Sequence, residues 1–534
     1  MRYVSTLFTT FLAALAIAGC KPDAPVPVEP EAGPVCQGTS VEDGITGVEP
    51  GPFTVVFTYD QNIKCPLSEQ ARITIDNSAK IAKVSALNTN LTVQVTDLDY
   101  EKQYTLTIPE GAVQGFKEHQ AGAKAVTFRF TTKAAPAPKP DPDVIPTPDG
   151  TLGWQVRAKL GLGINMGNQL DAFYNGTWAG DKYNYPDETC WGNAKLTQAT
   201  FDAIKAAGFD SVRIPVTWLN MIGPAPDYKI NEAWLARVAE VLGYAKKAGL
   251  NAIVNTHHDE NNADDHWLDV AAASRNTATR DAISVKVVKF WTQVAERFKN
   301  EGDWLIFESF NEIQDGGWGH SAAFTANPKA QCDVLNEWNQ KFVDAVRATG
   351  AENATRLLGV PGYAASPDFL DYFVLPKDPA GKVMVAVHFY DPFDYASGSK
   401  YTEWGHTANR DKKANWGDED NVRSKFSALY GRFIAQGIPC YLGEYGCVNR
   451  ANEHDRAFQN YYMEYVTRAA RLFGLPCFLW DNGAYNGDGE NFGYINHGNG
   501  SYIGEAFKTV QLMNKAAHSD DASYTLDKIY STAP

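Results

Sequence analysis

Strand-like and helix-like stretches alternate along residues 150–534 of this 534-residue chain, and this alternation restricts the fold more than any other feature. Eight short apolar runs predict strands, and these are KLGLGINMG, SVRIPV, NAIVNTH, LIFESF, RLLGV, VMVAVHF, CYLGEYG and CFLWDNG. Runs with helical periodicity separate most of them, and several end on glycine, a helix stop signal. Eight such units predict a (β/α)8 TIM barrel of the α/β class, with its site at the carboxyl ends of the strands. An open doubly wound sheet is the alternative, but no GxGxxG follows the first strand, which argues against a dinucleotide site.

Polar and aromatic residues stand in or just beyond the carboxyl ends of these runs. They are Asn165, Asn168, Arg213, His257, His258, Asn311, Glu312, His388, Tyr390, Glu444 and Trp480. Because an unpaired buried charge is costly, we expect these residues to meet at one rim, where they satisfy one another and a substrate. Glu312 in LIFESFNEI and Glu444 in CYLGEYG provide the two carboxylates that a retaining glycosidase needs. One protonates the leaving oxygen while the other attacks the anomeric carbon.

The same pattern resembles glycoside hydrolase family 5 over residues 150–517. The matching features are Arg after the second strand, His after the third, Asn-Glu after the fourth, His-x-Tyr after the sixth, Glu after the seventh and Trp after the eighth. GLGINMGNQLDA and DETCWGN are similar more particularly to subfamily 4. Members of that subfamily act on β-1,4-glucan, mixed-linkage glucan and xyloglucan, which are the substrates that the resemblance implies.

The resemblance also implies a role for each residue at the strand ends. Glu312 would be the acid/base and Glu444 the nucleophile. Asn311 would bind the 2-hydroxyl of the substrate, while Arg213 and Tyr390 would hold the carboxylate of the nucleophile. No cofactor and no metal are implied by this mechanism.

Histidines and tryptophans would complete the substrate site. His257 and His388 would position the two carboxyl groups, although the HHD sequence leaves open whether His257 or His258 matches the family. Trp480 would be the platform beneath the sugar at the cleavage point. Six further tryptophans follow strand ends, where stacking on sugar rings is expected of some: Trp178, Trp191, Trp267, Trp318, Trp404 and Trp416. We favour Trp191 and Trp318 among them.

Charges near the pair predict its ionisation. Arg213 would keep Glu444 ionised, and the resulting negative charge would raise the pKa of Glu312 and keep that acid protonated. Glu308 has the same strand parity as Glu312 and is expected to be a buried structural carboxylate. An alternative interpretation of one cluster is that it binds a metal ion. The cluster consists of His257, His258, Asp259 and His266.

The first residues predict export and lipid anchoring. Residues 1–20, MRYVSTLFTTFLAALAIAGC, have the pattern of a signal peptide and are too short to span a membrane. Their end resembles the bacterial lipoprotein box, in which Cys20 is lipidated. An ordinary signal peptide is the alternative. The expected location is the bacterial outer membrane, on its periplasmic or its cell-surface face, with the membrane and a β-glucan as partners.

Two proline-rich segments enclose a small domain. Residues 21–34 are typical of a tether and residues 134–149 of a linker. Between them, residues 35–133 contain five runs of period-two alternation that predict an all-β sandwich, and they resemble bacterial immunoglobulin-like domains. We expect this domain to be a spacer, whereas a carbohydrate-binding module would need exposed aromatics on one face. A disulfide between Cys36 and Cys65 is one option for its cysteines.

The net charge and the length of two segments restrict the classes of partner and substrate that the sequence predicts. A formal net charge of -15 argues against a nucleic-acid partner, because binding phosphates needs a basic surface. Long segments at residues 172–193 and 391–420 suit a wide cleft for a branched chain. The sequence therefore predicts a monomeric retaining endo-β-1,4-glucanase acting on xyloglucan. Hydrolysis of cellulose, mixed-linkage glucan or mannan is the alternative, as is a non-catalytic glycan-binding surface protein, against which intact Glu312 and Glu444 argue.

Overall fold

The computed structural model describes residues 31–134, 141–174, 185–260, 266–398, 400–485 and 490–534. The chain divides into two compact units, Met1–Pro136 and Ala137–Pro534. The predicted signal segment with Cys20, most of the predicted tether, part of the linker and Trp178 lie outside the described residues. Within the described ranges, no helix combines the length and the apolar character that crossing a membrane requires.

The N-terminal unit consists of two four-stranded sheets. Its strands are β1 (Cys36–Thr39), β2 (Ile45–Val48), β3 (Phe53–Tyr59), β4 (Thr74–Ile75), β5 (Lys80–Leu87), β6 (Asn90–Thr96), β7 (Gln103–Ile108) and β8 (Val126–Thr132), with one short helix at Leu67–Gln70. The sheets have the orders β1-β3-β6-β5 and β2-β8-β7-β4. Alternate residues of β6 and β7, such as Leu91, Val93, Tyr104 and Leu106, are fully buried between the sheets. The predicted all-β class of this unit is confirmed.

Three strands of this unit, β1, β2 and β5, escape prediction from the sequence. β1 and β2 are four residues each, and β5 is an edge strand without a fully buried residue, so none shows the alternation that marks a half-buried strand. Cys36 and Cys65 are both free. The disulfide considered for them is therefore not formed.

The second unit contains a closed parallel barrel of eight strands. These are β9 (Leu162–Asn165), β12 (Ser211–Ile214), β13 (Asn251–Val254), β14 (Leu305–Glu308), β15 (Leu358–Pro361), β16 (Val383–Phe389), β17 (Cys440–Tyr445) and β18 (Cys477–Leu479). They follow one another around the barrel, and β18 pairs with β9. Two short strands, β10 (Phe173–Tyr174) and β11 (Tyr185–Pro186), form a separate antiparallel pair. The predicted barrel is confirmed, and the open-sheet alternative is wrong.

Helices surround the barrel in sequence between the strands. They span Leu152–Leu160, Gln198–Ala206, Glu232–Ala248, Val270–Arg275, Thr277–Phe298, Ala322–Ala326, Pro328–Ala348, Phe393–Ala396, Glu419–Arg432, Glu453–Leu472, Ala506–His518 and Leu526–Tyr530. The runs with helical periodicity that separate the predicted strands are all found among these helices, and the remaining helices are additions to them. Local signals set the ends: Asn231 accepts a hydrogen bond from the backbone of Trp234, and Gly249 ends that helix at φ 74°.

An apolar layer fills the lower part of the barrel. It includes Ile253, Ile306, Met384, Ala386, Tyr441 and Phe478. Successive side chains of a strand point to opposite faces, so Glu308 has the inward direction of Ile306 and lies one layer nearer the carboxyl end. The layer above the apolar one is therefore charged, and the functional site begins there.

Candidate active site

The two carboxyl groups predicted as a catalytic pair lie side by side at the carboxyl-end rim. Glu312 follows β14, and Glu444 lies within β17. One oxygen of each lies within 4.8 Å of the other and of a ring nitrogen of His388. His388 Nδ1 is 2.6 Å from Glu312 Oε1 and 3.6 Å from Glu444 Oε2. The Glu312 side chain is 18% exposed and the Glu444 side chain 7%, so both are largely shielded from water.

The Glu444 carboxylate is held at both of its oxygens. Arg213 Nη1 donates to Oε1 at 2.7 Å, and the Tyr390 hydroxyl donates to Oε2 at 3.0 Å. Arg213 also donates to Asn165 Oδ1 at 3.0 Å and to Asn311 Oδ1 at 2.8 Å. The structure thus brings these residues together as the resemblance implies. Because Asn311 Oδ1 accepts from Arg213, its Nδ2 is the atom left to donate to a ligand.

Burial changes the acidity of both carboxyl groups. It raises the pKa of Glu312 to about 8, with Glu260 adding to the rise and Arg213 opposing it. Burial also raises the pKa of Glu444, while His388 and Arg213 lower it and Glu312 raises it. From the sequence, the negative charge of Glu444 is the predicted cause of the raised pKa of Glu312. The main causes are instead burial and Glu260, whose position near Glu312 no local spacing reveals.

Of the two carboxyl groups, Glu312 is the one that holds a proton to higher pH. Glu444 lies 2.7 Å from the permanent cation of Arg213. The direct neighbour of Glu312 is His388, whose pKa burial lowers to about 4, so its ring is neutral. An adjacent cation favours the ionised form of Glu444 over the protonated one. Glu444 is therefore the carboxyl group of the pair that ionises first.

The two neighbouring histidines occupy different surroundings. The His257 ring stacks parallel to Trp480, with centroids 5.8 Å apart, and burial, His258 and Arg213 lower its pKa well below the ordinary value. The His258 ring lies 5.6 Å from that of Trp191. Burial lowers the pKa of His258, but Glu260 and other carboxylates raise it to about 9. His257 therefore lies against Trp480, and His258 lies against Trp191.

Three of the predicted aromatic candidates differ in burial and in their contacts. Trp480 is buried against Phe492 and partly buried Tyr390, and a Cβ at Gly167 would lie 2.8 Å from its ring, so glycine is needed there. Trp191 is half-buried, and its Nε1 donates to the Phe173 carbonyl. Trp318 is 53% exposed in the segment after β14. A large ring this exposed is available for stacking on a ligand.

Most of the other predicted candidates make contacts that stabilise the fold. Trp267 is buried and donates through Nε1 to Asp259, and Trp404 is buried and donates to the Gly417 carbonyl. Trp416 is half exposed. Asn168 adopts a left-handed backbone at φ 55°, and its carbonyl accepts a hydrogen bond from the side-chain amide of Asn193. Asn168 thus shapes the turn after β9.

The four-residue metal cluster considered from the sequence is not formed. The Asp259 carboxylate accepts from the backbone nitrogens of Trp218 and Leu219 and from Trp267 Nε1. It is therefore committed to the fold. Asp171 lies beside His257 and His258 instead, and its oxygens accept from backbone nitrogens in the turn after β9.

Part of the polar layer beneath the pair cannot be predicted from the sequence. Glu308 contacts Arg213, Asn255 and Tyr441 there. Strand parity identified Glu308 as an inward carboxylate, but Tyr441 lies on a strand remote in sequence. Only the closed barrel brings the two together.

A parallel eight-stranded barrel with two adjacent carboxyl groups of different acidity at its carboxyl-end rim defines a site of the glycoside hydrolase class. Residues 175–486 match the cellulase family, glycosyl hydrolase family 5. The chain belongs to this family, and the resemblance found in the sequence is confirmed.

Individual relatives agree with this membership. Endoglucanase A of Paenibacillus barcinonensis is 38% identical over 353 residues, which are 62% of this chain and 83% of that protein. A GH5-4 broad specificity endoglucanase from Bacteroides salanitronis is 48% identical with a TM-score of 0.66, covering 70% of this chain and 96% of that one. A family 5 xyloglucanase from Paenibacillus pabuli is 36% identical with a TM-score of 0.62, covering 68% and 100%.

Proposed function

We propose that this protein is a retaining endo-β-1,4-glucanase in which Glu444 is the nucleophile and Glu312 the acid/base. The observation that carries the proposal is the separation of their carboxyl oxygens, which lie within 4.8 Å of each other. Retaining glycosidases hold the two carboxyl groups about 5–5.5 Å apart, whereas inverting enzymes need about 6.5–9.5 Å to admit a water molecule. The short separation supports direct attack by Glu444 on the sugar.

In the first step, an oxygen of ionised Glu444 forms a bond to the anomeric carbon. The bond from that carbon to the glycosidic oxygen breaks, and the proton of Glu312 moves to the departing oxygen. Arg213 and Tyr390 keep the attacking carboxylate oriented. The products of this step are a glycosyl ester on Glu444 and a released chain.

In the second step, a water molecule attacks the same carbon. Glu312, now a carboxylate, accepts a proton from that water as its oxygen bonds to the carbon and the ester bond to Glu444 breaks. The two carboxyl groups repel each other when ionised. Esterification of Glu444 removes that repulsion, which favours the ionised form of Glu312 as a base. Both side chains return to their starting states.

The surrounding residues would bind the sugar. Asn311 Nδ2 would donate to the 2-hydroxyl, and Trp480 would lie beneath the ring at the cleavage point. Trp191 and Trp318 would stack on neighbouring sugars, because aromatic faces complement the apolar faces of pyranose rings. His257 stacks on Trp480 and holds its ring in place.

Xyloglucan is the substrate that we propose first. The likeness to the Paenibacillus pabuli xyloglucanase supports it, as do the long segments at 172–193 and 391–420. The likeness to a broad specificity endoglucanase supports a wider range of β-glucans as the alternative.

Reducing-end release by the full chain tests activity and substrate together, on xyloglucan, carboxymethyl cellulose, mixed-linkage glucan and mannan in parallel. We expect the highest kcat/KM on xyloglucan, and we expect Glu444→Gln to lose on the order of a thousandfold or more. Release confined to unbranched glucans would overturn the proposed substrate. No release from any glucan would overturn the enzymatic function.

We further propose that the protein is exported and anchored to the bacterial outer membrane through a lipid on Cys20. The lipoprotein-box pattern at the end of residues 1–20 supports this. Expression in a Gram-negative host with radiolabelled palmitate, compared with Cys20→Ser, provides the test. Label on the parent chain and none on the variant is expected, and equal labelling would contradict the anchor.

A further inference from the structure

A third carboxylate, Glu308, lies directly beneath the proposed catalytic pair and is fully buried. Its Oε1 accepts from Arg213 Nη2 at 2.6 Å and from Asn255 Nδ2 at 2.9 Å. Its Oε2 accepts from Arg213 Nε at 3.1 Å and from the Tyr441 hydroxyl at 2.5 Å. Arg213 therefore contacts two carboxylates, Glu308 through Nε and Nη2 and Glu444 through Nη1.

Residues of neighbouring strands hold Glu308 in place and favour its ionised form. Gly359 on β15 is its register partner, and a Cβ at Gly359 would lie 2.3 Å from the Tyr441 hydroxyl. Glycine at this position is what allows Tyr441 to reach across the barrel. Burial raises the pKa of Glu308, but the Arg213 contacts, Tyr441 and His388 outweigh it, and the net shift is downward.

We propose that Glu308 is a positioning residue of the reaction, which aligns the Arg213 guanidinium beneath Glu444 and takes up part of its positive charge. The proposal rests on the proposed function, since it needs Glu444 to be the nucleophile. An Arg213 committed to Glu444 alone would stabilise its carboxylate more strongly, and a more stable carboxylate is a weaker nucleophile. With the charge divided, Glu444 stays ionised and reactive. In agreement, the pKa of Glu444 lies above its ordinary value although Arg213 is in contact with it.

Other groups facing the two carboxylates do not change charge when Glu308 is altered. His388 is neutral, since its pKa is about 4, and His258 carries a pKa of about 9. Burial raises the pKa of both tyrosines in contact, so they stay neutral. The groups described around Glu308 and Glu444 are Arg213, His258, Glu312, His388, Tyr390 and Tyr441. Glu308 also raises the pKa of Glu312, but that pKa is about 8, so Glu312 stays protonated at the acid limb. A shift seen on altering Glu308 therefore reports on the charge that Glu308 and Arg213 together present to Glu444.

The test is the pH dependence of inactivation by 2,4-dinitrophenyl 2-deoxy-2-fluoro-β-cellobioside. This leaving group departs without a proton from Glu312, so the acid limb of the rate profile reports the ionisation of Glu444. In Glu308→Gln, we expect the acid limb to move down by about one pH unit, because an opposite charge in contact lowers a carboxyl pKa by about that much or more. We also expect a lower limiting rate constant. A slower reaction with an unmoved limb would reduce Glu308 to a structural residue and overturn the proposal.

Two further variants separate charge from alignment. Tyr441→Phe keeps the charges of Glu308 and Arg213, so its acid limb is expected at the parent pH. Glu308→Asp keeps the charge but is one methylene shorter, so it cannot reach Arg213 and Tyr441 together. We expect its limiting rate constant to fall several-fold while its limb stays in place. If Glu308→Gln does not fold, an unchanged rate constant in Glu308→Asp would still overturn the proposal.

Mass spectrometry of the labelled parent distinguishes this proposal from the proposed function. Label on the peptide carrying Glu444 is expected. Label elsewhere, or none, would overturn both assignments. Label on Glu444 together with an unmoved limb in Glu308→Gln would leave the function standing and overturn only the role of Glu308.

Discussion

Glu312 and Glu444 differ in the side chains that contact them. Arg213 and Tyr390 donate to Glu444, whereas the contact of Glu312 is neutral His388. The carboxyl group in contact with a cation ionises first, and Glu312, whose contact among the described residues is a neutral ring, retains its proton to higher pH. Two identical side chains thereby acquire the acid and the nucleophile roles of a double displacement.

These ionisations predict the pH dependence of kcat/KM on a polysaccharide substrate. The reaction needs protonated Glu312, whose pKa is raised to about 8, so activity should fall as pH rises through about 8. It also needs ionised Glu444, whose pKa is raised above its ordinary value, so the acid limb should lie above that value. Initial rates between pH 4 and pH 10 check both limbs. An alkaline limb near pH 5 would contradict the assignment of the proton to Glu312.

Removing the acid should erase the alkaline limb. Glu312→Gln is expected to lose about 10²–10⁴-fold in kcat/KM on polysaccharide, the usual contribution of a general acid. On 2,4-dinitrophenyl β-cellobioside, whose leaving group needs no proton, kcat/KM should stay close to that of the parent and show no fall near pH 8. A persistent alkaline limb in the variant would assign that limb to another group.

For single residues, the joint pattern at the strand ends is enough to predict the pair, and the family resemblance implies the contacts of Arg213 and Tyr390 with Glu444. The sequence does not reveal that Glu260 contributes to the Glu312 shift, or that His257 and not His258 stacks on Trp480. Both facts depend on where side chains point in three dimensions. Burial, the leading cause of both carboxyl shifts, likewise belongs to the assembled cleft and not to any motif.

Among the strands, Gly359 on β15 leaves the space in which side chains of β14 and β17 contact each other. An alanine there would place a methyl group 2.3 Å from the Tyr441 hydroxyl and 3.4 Å from Glu308 Cβ. Gly359→Ala is therefore expected to destabilise the fold by about 1–3 kcal/mol, the usual cost of overpacking a core. Denaturant unfolding measures this change, and an unchanged midpoint would contradict the tight contact.

Gly243→Ala is the matched control for that substitution. Gly243 lies inside the helix Glu232–Ala248, and nothing stands within 4 Å of a Cβ built there. Alanine is a better helix former than glycine, so we expect a gain of about 0.5–1 kcal/mol. Opposite signs for the two substitutions would show that the cost at Gly359 comes from the contact and not from the added methyl group.

Strands that are more deeply buried are easier to predict from the sequence. Strands of the barrel are buried on both faces, so they are continuous apolar runs such as VMVAVHF, and all eight are visible in the sequence. β5 is an edge strand with lysines, and β4 keeps only two residues of the predicted run ARITI. Their apolar patterns are weak because few of their side chains enter a core. The segment from β15 to β16 contains 3-10 turns in place of a long helix.

At the scale of the whole molecule, each unit has a hydrophobic core of its own. One core contains Phe57, Leu91 and Phe128, and the other surrounds the barrel. A unit with its own core is expected to fold alone. A chain of residues 141–534 should therefore keep kcat/KM on soluble xyloglucan within about twofold of the full chain, as a spacer role for residues 35–133 predicts. A loss of activity above tenfold would contradict that role.

The stereochemistry of cleavage decides whether Glu444 attacks the sugar directly. Proton NMR of a cello-oligosaccharide or xyloglucan oligosaccharide digest, recorded before mutarotation, shows the anomer first released. With the carboxyl oxygens of Glu312 and Glu444 within 4.8 Å, we predict that the β-anomer appears first and that the α-anomer grows in later. Initial release of the α-anomer would mean inversion through a water molecule, and it would contradict the nucleophile assigned to this site.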